Sequence, residues 1–146
     1  MTTPELKGAL VRDYGKRVDF GRTSDDYSRF RPGPPGAMYD RLERFLALRG
    51  RTAVDVGTGT GVVALELAAR GALVTAIDPS QGQIDAARAA ALARGLAIDF
   101  RCAKAESTGL PDASFDLWIA SQAWHWFDPA RAGAEAKRLL RPGGLA

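Results

Sequence analysis

Five residues, Gly57-Thr58-Gly59-Thr60-Gly61, constrain this chain more than any others, because of what stands on either side of them. Before them, Thr52-Ala53-Val54-Asp55-Val56 is a short, β-branched apolar run with the character of a buried strand. After them, residues 62–70 are apolar over a helical length, and Gly71 supplies a helix stop. The same rhythm then returns. Leu73-Val74-Thr75-Ala76-Ile77 reads as a second strand, Asp78-Pro79-Ser80 opens a helix running to about residue 94, and Gly95 closes it. Residues 96–101 form a third expected strand, residues 115–120 a fourth, and residues 129–140 a further helix. Strands that alternate with helices in this way pair in parallel through right-handed crossovers. The expected fold is therefore α/β: a doubly wound, mostly parallel sheet with helices on both faces.

The last six residues, Arg141-Pro142-Gly143-Gly144-Leu145-Ala146, read as a helix stop at Pro-Gly-Gly followed by the first residues of another strand. The sheet is thus expected to be incomplete on its C-terminal side, with the fourth strand at its edge beside Leu117, Trp118 and Ile119. Such an edge invites pairing with a second copy, so a homo-oligomer through the exposed sheet edge is an expectation.

The 146 residues make one domain of ordinary size. Residues 1–36, punctuated by Gly8, Gly15, Gly21, Pro32, Gly33, Pro34, Pro35 and Gly36, read as an N-terminal arm or lid. Residues 37–146 read as the ligand-binding domain. Its first amphipathic helix begins at Ala37, carries Met38, Leu42, Phe45, Leu46 and Leu48, and is stopped by Gly50. Composition narrows the function classes. Twenty Lys and Arg against 17 Asp and Glu leave a net charge of +3, and the positive charges are scattered singly, so no nucleic-acid partner is expected. No stretch approaches the roughly 18 apolar residues of a membrane span, so no membrane partner is expected either. The single cysteine, Cys102, cannot form an internal disulfide, and the N-terminal MTTPELKG has no secretory profile, which points to the cytoplasm. One His and one Cys are too few for a metal cage.

In a doubly wound sheet, ligands bind at the carboxyl ends of the strands where the topology switches, usually at the turn after the first strand. Glycines there admit positive φ and let ligand atoms approach the backbone, and the next helix presents free N–H groups. An acidic residue about 20 positions further on accepts hydrogen bonds from a ribose diol. Asp78 stands 21 residues after Gly57, so the features together indicate an adenine nucleoside derivative. Its class follows from charge. A dinucleotide sets an anionic pyrophosphate against a Gly-x-Gly-x-x-Gly turn, whereas here the third glycine comes one residue early and Val62 stands in its place. Asp55, two residues before Gly57, repels pyrophosphate but attracts an ammonium or sulfonium group. S-adenosyl-L-methionine carries both. An NAD(P)-dependent oxidoreductase is the alternative that Asp78 favours and Asp55 opposes.

Val54-Asp55-Val56-Gly57-Thr58-Gly59-Thr60-Gly61 resembles the first motif of the Rossmann-like S-adenosylmethionine-dependent methyltransferases, and Asp78 is similar to their second. Four later segments resemble landmarks of the small-molecule branch, that of the trans-aconitate and ubiquinone/menaquinone methyltransferases. They are Ala103-Lys104-Ala105-Glu106 with Leu110-Pro111, then Phe115-Asp116, then Ser121-Gln122-Ala123-Trp124-His125-Trp126-Phe127, and Leu139-Leu140-Arg141-Pro142-Gly143-Gly144. The likeness begins at about residue 26, where Tyr27-Ser28-Arg29-Phe30-Arg31-Pro32 resembles the family's Tyr-x-x-x-Arg-Pro lead-in.

This resemblance implies a Rossmann-like fold with more strands than are read here, and hence a truncated chain. It also implies roles. Asp55 with Gly57, Thr58, Gly59 and Gly61 holds the methionine part of the cofactor, and Asp78, with Pro79 beside it, the ribose. Ala105 and Glu106 flank the adenine, and Ser121 and Gln122 face the cofactor near the transferred methyl. Apart from the resemblance, a Pro- and Gly-rich arm before a nucleotide fold is placed to cover the ligand, so Tyr27 or Arg31 is expected to reach the cofactor carboxylate, set against both being solvent-exposed arm residues. Lys104 departs from the pattern, because the family often has there an Asp that accepts from the adenine amino group, and a lysine cannot accept. The Asn/Asp-Pro-Pro-Tyr sequence of base-methylating relatives is absent.

Methyl transfer from a sulfonium is an in-line displacement that needs proximity, alignment and exclusion of water, with a base only where the acceptor must lose a proton. His125, the single histidine, is the candidate base, set against a packing role between Trp124 and Trp126. Trp124, Trp126 and Phe127 stack on adenine, exclude solvent, or pack the loop on a helix. The expected function is S-adenosylmethionine-dependent methyl transfer to a small-molecule acceptor. A non-catalytic or truncated fragment that still binds the cofactor is the competing reading.

Overall fold

The computed structural model describes residues 33–146. Tyr27 and Arg31 lie outside the described residues, as does all of the expected arm except its last four positions. Along the chain follow α1 (Gly36–Glu43), β1 (Thr52–Val56), α2 (Val62–Ala69), β2 (Leu73–Asp78), α3 (Gln81–Ala93), β3 (Asp99–Cys102) and β4 (Phe115–Ile119). A single 3-10 turn (Trp124–Trp126), α4 (Pro129–Leu139) and β5 (Leu140–Leu145) complete the order.

β1 shows why these elements form one sheet. Ala53 joins an apolar cluster with Val63, Ala64, Leu67, Ile84 and Ala87, whereas Val54 and Val56 join a second cluster with Phe115, Trp118, Ala132 and Leu139. This is the two-residue period of an extended chain, and both faces are covered: α2 and α3 lie on one, α4 on the other. The strand order is β3-β2-β1-β4-β5, with every neighbouring pair parallel. From β1 the chain steps outward through α2 to β2 and through α3 to β3, then crosses back to lay β4 on the other side of β1. The order reverses between β1 and β4, and the segments that leave the two strands line the same cleft.

The fifth strand corrects an expectation. It starts at Leu140, not at Leu145, and runs through Pro142-Gly143-Gly144 in parallel pairing with β4. Phe115 pairs with Leu140 and Leu117 with Leu145, so four residues of β5 stand opposite Asp116 alone. Pro-Gly-Gly therefore makes an irregular bulge within a strand rather than a helix stop, the helix having already ended at Leu139. A Cβ on Gly144 would lie 3.2 Å from the Asp116 carbonyl oxygen, so a side chain there would press the two strands apart by a few tenths of an ångström. β4 is consequently internal, and the open edge beyond it among the described residues is β5, not the Leu117-Trp118-Ile119 strand.

Two boundaries also shift. α1 ends at Glu43 rather than near residue 48, because the Arg44 and Phe45 N–H groups donate to Arg41 and Leu42 in a tightening turn, and Leu48 leaves the helix to become fully buried. β3 begins at Asp99 rather than 96, because the Gly95 and Leu96 N–H groups donate back to Leu92 and Ala91 and wrap the end of α3. Among the described residues no helix is long and apolar enough to cross a membrane.

Candidate functional site

β1 ends directly in the glycine turn. Gly57 adopts φ +69° and Gly61 φ +85°, left-handed values that side chains resist. Space forbids them as well: a Cβ on Gly57 would sit 2.6 Å from the Ala123 Cβ and 3.1 Å from the Phe127 ring, and one on Gly61 2.9 Å from the Ala87 Cβ. The loop after β4 thus lies directly on the turn after β1, and α3 lies against the start of α2. The Thr58 N–H donates to the Ile77 carbonyl at 2.9 Å, which fixes the turn to β2.

Asp55 is 1% exposed. The Thr58 hydroxyl donates to its Oδ2 at 2.6 Å, and the Ala64 backbone N–H donates to it from the first turn of α2. It therefore supplies the acceptor that the N-cap residue of α2, Gly61, lacks. Burial pushes its carboxyl up to about 6 in spite of these donors. Asp78 joins two segments: the Gly59 N–H donates to Oδ2 at 3.0 Å and the Ser80 N–H to Oδ1 at 2.9 Å. Burial raises its carboxyl above the ordinary range, and those two N–H groups oppose the rise. The cap of α3 is Ser80, whose Oγ accepts from the Gln83 N–H, so Asp78 is not spent on that task. Among the described residues no Lys, Arg or His forms an ion pair with Asp55 or Asp78.

Three adjoining cavities follow the cleft. The first, about 50 Å³, is lined by Asp55, Gly57, Thr58, Gly59, Ser121 and Gln122, with Gly33 and Pro34 among its other walls. The second, about 250 Å³, lies between Gly57, Gly59, Asp78, Pro79 and Gln83 on one side and Ser121, Gln122, Ala123, Trp126 and Phe127 on the other. The third, about 410 Å³, is lined by Lys104, Ala105, Glu106, Asp128 and Arg131, and shares Gly57, Pro79, Trp126 and Phe127 with the second. Gly57, Gly59, Asp55, Thr58, Asp78, Pro79, Ala105, Glu106, Ser121 and Gln122 are thus gathered along one cleft. Gly61 lines none of these cavities and instead starts α2. Glu106 Oε1 accepts from the Asp128 N–H at 2.8 Å, which holds the start of α4 beside the third cavity.

The aromatic segment divides. Trp126 and Phe127 wall the second and third cavities. Trp124 turns away to meet Trp118 edge-on, with ring centroids 6.1 Å apart. His125 is exposed, lies 4.9 Å from the Trp126 ring centroid, and lines none of the three cavities, so the structure does not bring the candidate base together with the other site residues. Gln83, Ala123, Arg131 and Pro34 are site residues that sequence reasoning passed over. The one local signal among them is Ser80-Gln81-Gly82-Gln83, a helix-start pattern. Among the described residues no cluster of three or more His, Cys, Asp or Glu is arranged to hold a metal ion.

Comparison with known proteins agrees with this geometry. A family model for a methyltransferase domain matches residues 54–146. An uncharacterised methyltransferase of Mycobacterium tuberculosis is 41% identical over 127 residues, covering 87% of this chain and 49% of its own length. A ubiquinone biosynthesis O-methyltransferase of Methylocella silvestris is 40% identical over 99 residues, covering 67% of this chain and 39% of that enzyme. Among solved structures, a proposed type II methyltransferase from Anaeromyxobacter dehalogenans is similar at a TM-score of 0.65 and 42% identity, over 79% of this chain and 46% of that one. The chain spans about half the length of the curated relatives it matches. The strand order, the glycine turn at the switch point and the family match agree: this chain belongs to the methyltransferase-domain family and carries its Rossmann-like α/β fold.

Proposed function

We propose that the protein binds S-adenosyl-L-methionine in this cleft and, as a methyltransferase, delivers its methyl group to a small-molecule acceptor. One observation carries the reading: Asp55 is a buried carboxylate on the wall of a cavity, with no cationic partner among the described residues. An unpaired buried charge is costly, and a ligand with an ammonium and a sulfonium group supplies the missing counter-charge where a pyrophosphate adds a second like charge. NAD(P) fits this donor set poorly.

The three adjoining cavities suit the ligand's parts in this order on that reading. Asp55 with Gly57, Thr58 and Gly59 faces the methionine end, Asp78 the ribose, and Ala105, Glu106 and the Trp126–Phe127 wall the adenine. When bound, the cofactor supplies an activated methyl group on a sulfonium. The protein's share is to hold that group in line with an acceptor and to exclude water, which Phe127 and Ala123 do by lying on Gly57. The exposed position of His125 favours an acceptor that needs no base from this residue. A small acceptor is favoured by the likeness to the ubiquinone biosynthesis O-methyltransferase of Methylocella silvestris.

Calorimetric titration with S-adenosylmethionine, S-adenosylhomocysteine and NAD in parallel tests the reading. Micromolar binding of the first two and none of NAD is the expected result. Binding of NAD alone overturns it, and cofactor binding without transfer to any acceptor leaves a binding fragment.

A further inference from the structure

We propose that Gln83 is a second reader of the ligand's ribose, working beside Asp78: its side-chain amide hydrogen-bonds one of the two ribose hydroxyls. The inference rests on the reading of this cleft as the cofactor's nucleoside site.

The start of α3 carries a pattern that half fails. Ser80-Gln81-Gly82-Gln83 is a capping box, in which the serine side chain takes the N–H of the third helical residue and the glutamine side chain reaches back to the serine N–H. The first half forms, the Gln83 N–H donating to Ser80 Oγ at 3.4 Å. The second does not, because the Ser80 N–H donates to Asp78 Oδ1 at 2.9 Å. Asp78 has taken the task of the glutamine amide. Gln83 is nevertheless 2% exposed, and its carbonyl Oε1 has no hydrogen-bond partner among the described residues. Buried amides are rarely left so, and each such group calls for an explanation.

Position supplies one. Gln83 lines the second cavity together with Asp78, Gly57 and Gly59, and is absent from the third, where Lys104, Ala105 and Glu106 stand. It therefore belongs with the ribose carboxylate rather than with the adenine residues. The chemistry is complementary. Asp78 as a carboxylate only accepts, and each of its oxygens already takes one backbone N–H. A ribose diol both donates and accepts, and an amide, which can turn end over end about its last bond, matches whichever function Asp78 leaves unfilled.

Gln83→Met is the test, with Gln83→Leu beside it. Both are read by thermal melting without ligand and by titration with S-adenosylhomocysteine and its 2′-deoxy and 3′-deoxy analogues. The proposal predicts that Gln83→Met melts at the same or a higher temperature than the wild type, since a buried amide carbonyl with no partner among the described residues is removed. It also predicts about five- to tenfold weaker binding of S-adenosylhomocysteine, the worth of one neutral hydrogen bond. The affinity that the wild type loses when one particular hydroxyl is deleted shrinks by the same factor in the variant. Unchanged affinity overturns the proposal, as does equal weakening towards all three ligands. A lower melting temperature or failed folding in both variants overturns it too, by assigning Gln83 to structural support. If the wild type binds none of the three ligands, the cofactor reading itself fails, a result distinct from the others.

Discussion

The turn after β1 and the segment after β4 line one cleft from opposite sides, yet they are built from different materials. The turn works through backbone and buried charge: left-handed glycines, the Gly59 N–H on Asp78, and Asp55 sealed beneath Thr58 and the start of α2. The segment works through side-chain surface. Trp126 remains 58% exposed while forming a wall, Trp124 and Phe127 meet edge-on at 6.0 Å, and Gln122 holds φ +56° without being glycine. A loop made of backbone geometry and buried acids has little freedom to do its work otherwise, whereas one made of aromatic surface can be rearranged. The first is therefore the fixed jaw of the cleft and the second the adaptable one.

The contrast is broken most severely at Gly57. Gly57→Ala places a methyl group 2.6 Å from the Ala123 Cβ at φ +69°, so the jaws must part or the backbone must change. A loss of about 2–4 kcal/mol in urea unfolding is expected, together with loss of nucleoside binding. An unchanged midpoint would show that the β4 loop does not rest on the turn.

Asp55→Asn is the next largest, and its two effects have opposite signs. The folded protein holds this carboxyl at about 6, against 3.8 as its ordinary value, so between those pH values it binds more protons than the unfolded chain. Stability therefore falls as pH rises through that window, and the whole cost of the buried charge is present above pH 6. Asn removes it. The variant without ligand is expected to be more stable at pH 8 by up to about 3 kcal/mol, with the gain vanishing below pH 4. Chemical unfolding at both pH values checks this.

A smaller effect is expected at the brace between α4 and the loop after β3. Glu135 Oε1 accepts from both the N–H and the hydroxyl of Thr108, and Arg138 pairs with the same carboxylate, which holds it down to about 2. Its contribution is present above its ordinary value of 4.5 and is lost as pH falls towards 2. Glu135→Gln should cost about 1 kcal/mol at pH 7 and nothing at pH 2, as melting curves at the two pH values would show. The smallest effect belongs to the adaptable jaw: His125→Gln should leave cofactor affinity within about twofold of the wild type, since the ring lines none of the cavities. A tenfold loss of affinity would bring His125 back into the site.

The same contrast decides what was legible in the sequence. The βα rhythm, the switch at the first strand and the place of both carboxylates beside the turn were readable, because a left-handed turn favours glycine and the acids stand at fixed separations from it in the sequence. The Pro-Gly-Gly segment misled, since residues that stop a helix also make a bulge in a strand, and only pairing with β4 decides between them. Trp124, His125 and Trp126 could not be sorted by sequence, because which face of a 3-10 turn meets Trp118 and which meets the cleft is a matter of packing. Gln83 stayed hidden for a related reason: its pattern promised a helix cap, and Asp78 took that bond.

The most direct test of the central claim, that Asp55 is buried in order to meet a cationic ligand, is the affinity for S-adenosylmethionine of wild type and Asp55→Asn measured from pH 5 to pH 8. Wild-type affinity is expected to fall below pH 6, by up to about tenfold per pH unit, because the carboxyl must shed a proton to bind. Asp55→Asn is expected to bind roughly ten- to hundredfold more weakly at pH 8 and to lack that fall. Equal affinities at pH 8, or the same pH profile in both proteins, would contradict the claim.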